Sequence, residues 1–203
     1  MALGKMTETQ EPHPNSIVNN AMEVLNMKKF LITASMVLMA TTAMAQQSTT
    51  EATGVNSALG IAPTTEDFVA QASMSDMFEI ESSKLAIERS DSATKTFAEH
   101  MVKGHEKTTT ELKTLVDGGK VKAAPATAMS EDQKESIEAL KKLQGADFTA
   151  QYHDDQVEAH EDAVDLFKRY AEGGDNADLK AWAAKTVPEL EHHLKMAQDL
   201  NKE

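Results

Sequence analysis

The sequence contains no cysteine. This absence excludes disulfide bonds, iron–sulfur clusters, thiolate zinc sites and cysteine nucleophiles, because each of them needs a thiol or thiolate. It also excludes a lipid anchor on an N-terminal cysteine, so an exported form of the protein should be free of such an anchor.

Aromatic residues are also scarce, at 4% of the chain. The core must therefore be built from Ala, Leu, Val and Met with a few Phe. This composition favours closely packed helices over sheets, because strands are enriched in β-branched and aromatic residues. The 203 residues are enough for one domain once an N-terminal targeting segment is removed.

Basic residues are few compared with acidic ones. The chain has 20 Lys and Arg residues and 33 Asp and Glu residues, which gives a formal net charge of -13. A nucleic acid partner is therefore not expected, because binding phosphates needs a basic face. Anionic membrane surfaces are disfavoured for the same reason, whereas metal cations or a cationic partner are compatible with this charge. Its simplest role is solubility. No glycine-rich phosphate loop, nucleophile elbow or paired-carboxylate motif names a reaction.

Residues 27–45 carry the parts of a secretory signal peptide in order. Met27 is followed by two lysines and then by an apolar run over residues 30–39, which is too short to span a bilayer. Ala43 and Ala45 are the small residues that a signal peptidase reads, so cleavage is predicted before Gln46. We therefore expect the protein in the periplasm or cell envelope, with no transmembrane segment after cleavage.

The segments on either side of the signal differ from it. Residues 1–26 have no charge bias of their own, and we interpret them as an over-extended gene prediction or an unusually long n-region. A stop-transfer anchor is the structural alternative, but the apolar run is too short for one. Residues 46–65 lack an apolar period and are predicted to be a flexible linker, and residues 66–203 form the remaining domain.

Four long amphipathic helices are predicted in this domain, at about 66–90, 93–116, 147–171 and 176–200, with a short helix at about 130–143. Thr65 is the predicted cap of the first helix, and Pro188 should bend the last helix or remove one hydrogen bond. The first two helices are joined tightly, as are the last two, but the middle connection is long. The sequence therefore predicts an all-α, ferritin-like four-helix bundle with a long crossover between the second and third helices.

Histidines are placed unevenly on these helices. His105, His160 and His193 fall on the apolar stripes of three helices, and Glu79 falls on the stripe of the fourth. Each residue lies near mid-height, so the four side chains are predicted to converge inside the bundle. A glutamate with three imidazoles suits zinc, iron, manganese or copper. The metal-free alternative is a buried hydrogen-bond cluster in which Glu79 accepts from protonated histidines and holds the helices in register.

Other metal sites find less support in the sequence. A ferritin-type di-iron site needs Glu-x-x-His on two helices, and the only such spacing, Glu189 to His192, lies off the apolar stripe. His153 and His160 share a face but lie two turns apart, ~10.5 Å, which is too far for one ion.

Four separated segments resemble a known family: Glu79–Ala86, Phe97–His105, Phe148–His160 and Leu179–Leu194. The family is that of the exported ferritin-like proteins called domain of unknown function 4142, and the resemblance covers roughly Glu66 to Leu200. It implies a ferritin-like bundle in the bacterial envelope and no established activity. The family usually carries an acid just before the second-helix histidine, whereas this chain has Gly104, so any support that the acid gives to the histidine is missing here.

Three functions remain open at this level. The leading hypothesis is a non-catalytic envelope protein connected with metal binding or stress, a connection that comes only from fold analogy. The first alternative is a metal-dependent redox enzyme that uses the buried Glu and His residues. The second is a helical interaction module that docks a protein partner in the periplasm, and the sequence does not identify that partner.

Overall fold

The computed structural model describes residues 54–202. Helices are the regular elements of this range and it contains no strand, so the predicted all-α class is confirmed. In chain order, its six helices are α1 (Val55–Ala58), α2 (Thr65–Arg89), α3 (Ser92–Asp117), α4 (Glu131–Lys142), α5 (Gly145–Gly173) and α6 (Ala177–Leu200). The predicted signal peptide and residues 1–26 lie outside the described range. Within that range, no helix combines the length and apolarity needed to cross a membrane.

Side-chain caps begin several of these helices. The cap of α2 is Thr64 and not the predicted Thr65, because the hydroxyl of Thr64 accepts from the backbone N–H of Asp67 at 3.1 Å. Asp91 caps α3 through the backbone N–H groups of the following turn. Ser130 and Gln133 form a capping box at the start of α4, in which each side chain accepts from the other residue's backbone N–H.

The long helices pack in four adjacent pairs. The consecutive pairs α2 with α3 and α5 with α6 are hairpins joined by short turns. In addition, α2 packs against α5, with Thr65 hydrogen-bonded to Tyr170 at one end and Ser83 to Tyr152 towards the other. Helix α3 packs against α6 in the same antiparallel sense, since Lys107 pairs with Glu189 at 2.6 Å and, one turn later on α3, Glu111 accepts from Trp182 at 2.8 Å.

The connection between α3 and α5 contains α4, which lies along the second half of α2. Lys141 near the end of α4 pairs with Glu81 of α2 at 3.1 Å. Arg89, the last residue of α2, donates to the backbone carbonyls of Leu140 and Lys141. Residues 118–144 therefore travel from the end of α3 to the region where α2 ends.

Residues 54–64, which belong to the predicted flexible linker, make specific contacts with α5. Ser57 on α1 donates to Asp165 at 2.8 Å, and Arg169 donates to the backbone carbonyl of Ile61 at 2.7 Å. These hydrogen bonds join chain segments more than 100 residues apart. Residues 46–53 of the predicted linker lie outside the described range.

The apolar interior consists of two clusters with a polar layer between them. One cluster surrounds Phe68, Phe167 and Trp182, and the other surrounds Phe97 and Phe148. Between the members of the two clusters, each long helix carries buried acidic or histidine residues: Asp76 and Glu79 on α2, His105 on α3, His160 on α5 and His193 on α6. The candidate site therefore lies in the middle of the helical interior.

Candidate metal centre

His105 is held by a carboxylate from the neighbouring helix. Its Nδ1 lies 2.9 Å from Oδ1 of Asp76, and the imidazole is 2% exposed. An ionised carboxylate can only accept, so Nδ1 carries the proton and donates it to Asp76. Burial by itself lowers the pKa of His105, but the hydrogen bond to Asp76 and the charge of Glu79 outweigh it, and the net pKa lies above its ordinary value.

The carboxylate of Asp76 accepts hydrogen bonds from three side chains. Besides His105, it accepts from the hydroxyl of Thr108 at 2.7 Å and from that of Thr109 at 2.8 Å. Hydrogen bonds to an ionised group are stronger than neutral ones, and three of them hold this buried carboxylate. Asp76 therefore fixes both the orientation of the His105 ring and the position of its free nitrogen.

On α5, His160 directs its Nε2 atom towards Nε2 of His105. Its Nδ1 lies 2.8 Å from the backbone carbonyl of Gln156, one turn earlier on α5, so Nδ1 is again the donor. Its Nε2 lies 3.4 Å from Nε2 of His105. Burial lowers the pKa of His160, which favours the neutral ring.

The facing Nε2 atoms of His105 and His160 require a proton or a cation between them. When both rings are neutral and both Nδ1 atoms donate, each Nε2 carries a lone pair directed towards the other. A proton on one ring or a cation between the rings removes this repulsion. Two imidazole nitrogens that bind one zinc-like ion at ~2.05 Å with ligand angles of about 109–120° lie roughly 3.3–3.6 Å apart. The observed separation of 3.4 Å falls in this range.

His193 enters from α6 and has no hydrogen bond of its own. The side chain is 1% exposed, and neither ring nitrogen has a hydrogen-bond partner among the described residues. Burial first, and then the neighbouring His105 and His160, lower the pKa of His193 to about 2. The ring is therefore neutral at physiological pH, and within residues 54–202 neither nitrogen is engaged in a hydrogen bond.

The three rings form a regular triangle, which we call the histidine triad: His105, His160 and His193. Each pair of ring centroids is 5.5 Å apart, and one nitrogen from each ring lies within 4.8 Å of the others. With the centroid about 1.2 Å behind each nitrogen, imidazoles around one ion should have centroids roughly 5.2–5.5 Å apart. The ring-centroid separations of the triad are thus those of a three-imidazole metal centre, and the pair His105–His160 also matches in its nitrogen separation.

Glu79 lies beside the triad and not within it. Its Oε1 is 3.6 Å from Nδ1 of His160, the ring nitrogen that does not face His105. The side chain is 1% exposed, and among the described residues neither carboxylate oxygen accepts a hydrogen bond. The structure brings together the three predicted histidines, with the predicted glutamate at the edge of the set.

The histidines that the sequence sets aside lie elsewhere. His153 is hydrogen-bonded to Thr94 at 2.9 Å, near the start of α3. His192 is exposed on α6, while Glu189 pairs with Lys107. The Glu-x-x-His spacing from Glu189 to His192 therefore contributes no ligand to the interior.

The roles of two residues of the site, Asp76 and Gly104, were not predicted from the sequence. Asp76 lies one turn before Glu79 on the same helix, and that spacing was the available indication that both carboxylates face the interior. Asp76 is the acidic partner of His105, a role that Gly104, the residue before His105, cannot fill. Gly104 has a different role, because a Cβ atom there would lie 2.7 Å from Cε1 of His193. The absent side chain leaves the space that the His193 ring occupies.

Comparison with known families gives a match over most of the chain. The model of the family described as Domain of unknown function (DUF4142) matches residues 31–200. The chain belongs to this family. Neither a comparison with curated proteins nor one with solved structures gives a match. The family description names no activity, so the chemistry of the DUF4142 site has to be argued from its geometry.

Proposed function

We propose that this DUF4142 protein is an exported, ferritin-like, non-catalytic protein that binds one transition-metal ion at the histidine triad. The observation that carries this proposal is the 3.4 Å approach of Nε2 of His105 to Nε2 of His160, with each opposite Nδ1 already used as a donor. Metal-binding histidines commonly donate their second N–H to a carboxylate or a backbone carbonyl, which orients the ring. Asp76 and the carbonyl of Gln156 are partners of these two kinds.

Unpaired polar atoms around the triad support a bound cation. Both nitrogens of His193 and both carboxylate oxygens of Glu79 lack hydrogen bonds within the described range, although both side chains are buried. Buried polar groups are almost always hydrogen-bonded, and each exception costs about 1–3 kcal/mol. A metal ion at the triad would bind His193 directly and would give the charge of Glu79 a partner.

Charge balance points in the same direction. In their ionised forms, the buried side chains of Asp76 and Glu79 would bring two negative charges into the interior. Protonation of His105 compensates one of them, whereas a divalent ion compensates both. Because an uncompensated charge in an apolar interior is strongly unfavourable, the divalent ion is the better electrostatic complement.

The ligand set narrows the choice of metal. Imidazole nitrogens suit zinc, copper and iron, while magnesium and calcium prefer oxygen ligands. Manganese favours carboxylates, but Glu79 lies against Nδ1 of His160 and would have to turn to reach an ion at the triad. Three histidines leave a fourth position for a water molecule.

A non-catalytic role is supported by the enclosure of the site. The three rings of the triad are between 0% and 2% exposed. A cavity of about 440 Å³ between α2, α4 and α5 has several acidic residues in its lining and none of the triad histidines. A substrate bound in that cavity would not touch the metal ligands.

A metal-free polar cluster is the second candidate, and one observation favours it. The raised pKa of His105 allows its Nε2 to carry a proton and to donate to Nε2 of His160. In this arrangement Asp76 and Glu79 stabilise a buried imidazolium, and the cluster holds the helices in register.

Metal content of matched variants separates the two candidates. The protein should be purified from the periplasm without a histidine tag and analysed for bound metal, together with His160→Ala and His153→Ala. We expect about one ion per chain in the wild type and in His153→Ala, and none in His160→Ala, because two imidazoles seldom retain an ion. A wild type that stays metal-free after exposure to zinc, copper and iron salts would leave the polar cluster as the explanation.

The pairing of the helices supports the ferritin-like part of the proposal. Helices α2 and α5 run antiparallel, as do α3 and α6, and residues 118–144 link opposite ends. An up-down-up-down bundle would instead pair α3 with α5. Because the chain has no cysteine, a short bismaleimide should link Lys107→Cys to Glu189→Cys and no other sites. Failure of this cross-link, with both single variants as controls, would contradict the topology.

A further inference from the structure

Two exposed histidines lie directly outside the histidine triad. His100 on α3 and His192 on α6 have ring centroids 6.2 Å apart, and both side chains are exposed. The ring of His100 is also 5.2 Å from that of the buried His193. An unbroken series of imidazoles thus runs from the surface to the triad.

The spacing along this series suits the transfer of an ion from ring to ring. Two imidazoles that share one ion have centroids roughly 5.2–5.5 Å apart. The separations from His100 to His193 and from His193 to each inner ring are 5.2, 5.5 and 5.5 Å. The outer pair, at 6.2 Å, consists of exposed side chains that can rotate together. An ion can therefore bind to the next imidazole before it dissociates from the previous one.

Gly104 connects the outer and the inner parts of the series. It lies one turn after His100 on α3, and its missing side chain admits the ring of His193 against the helix backbone. His193 therefore contacts both His100 outside and His105 inside. With no hydrogen bond to either ring nitrogen within residues 54–202, His193 can exchange one metal contact for another.

We propose that His100 and His192 form the solvent end of a loading route that passes a divalent transition-metal ion to His193 and so to the triad. The proposal rests on metal binding at the triad. The negative net charge of the chain raises the local concentration of cations, and the exposed pair binds them weakly at first. His153 lies apart from the series, where it is hydrogen-bonded to Thr94 and lies beside the ring of Tyr152.

The test is the rate at which metal-free protein takes up Co²⁺, followed by the absorbance of the tetrahedral ion in a stopped-flow instrument. The double variant H100A/H192A is compared with wild type and with the control His153→Ala. We expect the loading rate of the double variant to fall about tenfold, with the equilibrium dissociation constant unchanged. Because the affinity is unchanged, extraction by a chelator should slow by the same factor.

The outcomes separate the route from the site. If wild type binds Co²⁺ and the double variant loads at the wild-type rate, the route is wrong and the triad site stands. If the variant binds more weakly but loads as fast, His100 or His192 is a ligand of the bound ion, which also overturns the route. If wild type binds no Co²⁺, the proposed function itself fails. A second double variant with glutamine at both positions guards against misfolding and should load as slowly as the alanine variant.

Discussion

Gly104 determines how closely the ring of His193 approaches the backbone of α3. Two effects of opposite sign meet at this position. Alanine in a helix interior is favoured over glycine by about 1 kcal/mol, while forcing an extra methyl group into a packed interior costs roughly 1–3 kcal/mol. A Cβ atom only 2.7 Å from Cε1 of His193 makes the steric effect the larger one.

We therefore expect Gly104→Ala to lower the free energy of unfolding by up to about 2 kcal/mol and to weaken metal binding, measured by urea denaturation and by competition with a chelator. The same substitution in a His193→Ala background provides the control. With the ring removed, only the helix preference remains, and Gly104→Ala should become stabilising. Destabilisation in both backgrounds would show that some other contact limits this position.

Asp155 carries a buried oxygen on the wall of the acidic cavity. Its Oδ1 accepts from Gln151 at 2.7 Å, but Oδ2 is buried and has no hydrogen bond among the described residues. Burial, opposed in part by the Gln151 hydrogen bond and reinforced by Glu158, raises the pKa of Asp155 to about 6. The folded protein therefore holds this proton more tightly than the unfolded chain does.

A carboxyl whose folded pKa is raised stabilises the fold below its unfolded pKa, and this contribution is lost as the pH rises through about 6. Asp155→Asn should then increase the free energy of unfolding near pH 7 by about 1–2 kcal/mol and change it little near pH 4. Denaturation at the two pH values measures the difference. Asp154→Asn is the exposed neighbouring control, and an equal gain from it would point to net charge and not to burial.

At the scale of single elements, α4 depends on its capping box. Ser130 and Gln133 satisfy two backbone N–H groups that would otherwise lack partners at the start of this 12-residue helix. Ser130→Ala should lower the free energy of unfolding by ~1 kcal/mol, as measured by urea denaturation. Ser136→Ala, in the middle of the same helix, should have no such effect because Ser136 caps nothing. Equal losses from both variants would contradict the capping assignment.

Most element boundaries could be predicted because they depend on local chemistry. The predicted second and last helices agree with α3 and α6 to within one residue at both ends, and Asp91 and Asn176 accept from backbone N–H groups at the starts of these helices. The cap of α2 was misplaced by one residue because two threonines stand in succession. Only tertiary contacts distinguish the roles of the two threonines. Thr65 is buried and hydrogen-bonded to Tyr170, whereas Thr64 caps α2.

The candidate site was predictable only in part, for a related reason. Helical periodicity alone identifies His105, His160 and His193 as inward-facing residues. The position of Glu79 beside His160 and the role of Asp76 depend on how α2 is rotated against α3 and α5, which no single helix encodes. The space at Gly104 depends on how closely α3 and α6 approach each other, and so it is visible only in the packed structure.

At the scale of the whole molecule, the N-terminal segment predicts export of the protein. The lysines and apolar run of residues 28–39 predict that signal peptidase removes everything through Ala45. N-terminal sequencing of the protein from the cell envelope should therefore begin at Gln46. A mature chain that retains Met27 would contradict this prediction.

The polar layer between the two apolar clusters bears on how the molecule unfolds. The aromatic cluster around Phe68 and the one around Phe97 each pack against their own neighbours, and the buried residues between them are largely polar and include carboxylates and imidazoles. Without an ion, we expect this polar layer to be the least stable part of the helices. The two apolar clusters should then open separately in amide hydrogen exchange. A metal ion that joins α3, α5 and α6 at this level would couple the two clusters and make their exchange rates converge. Occupancy of one small site would then set the cooperativity of the entire domain.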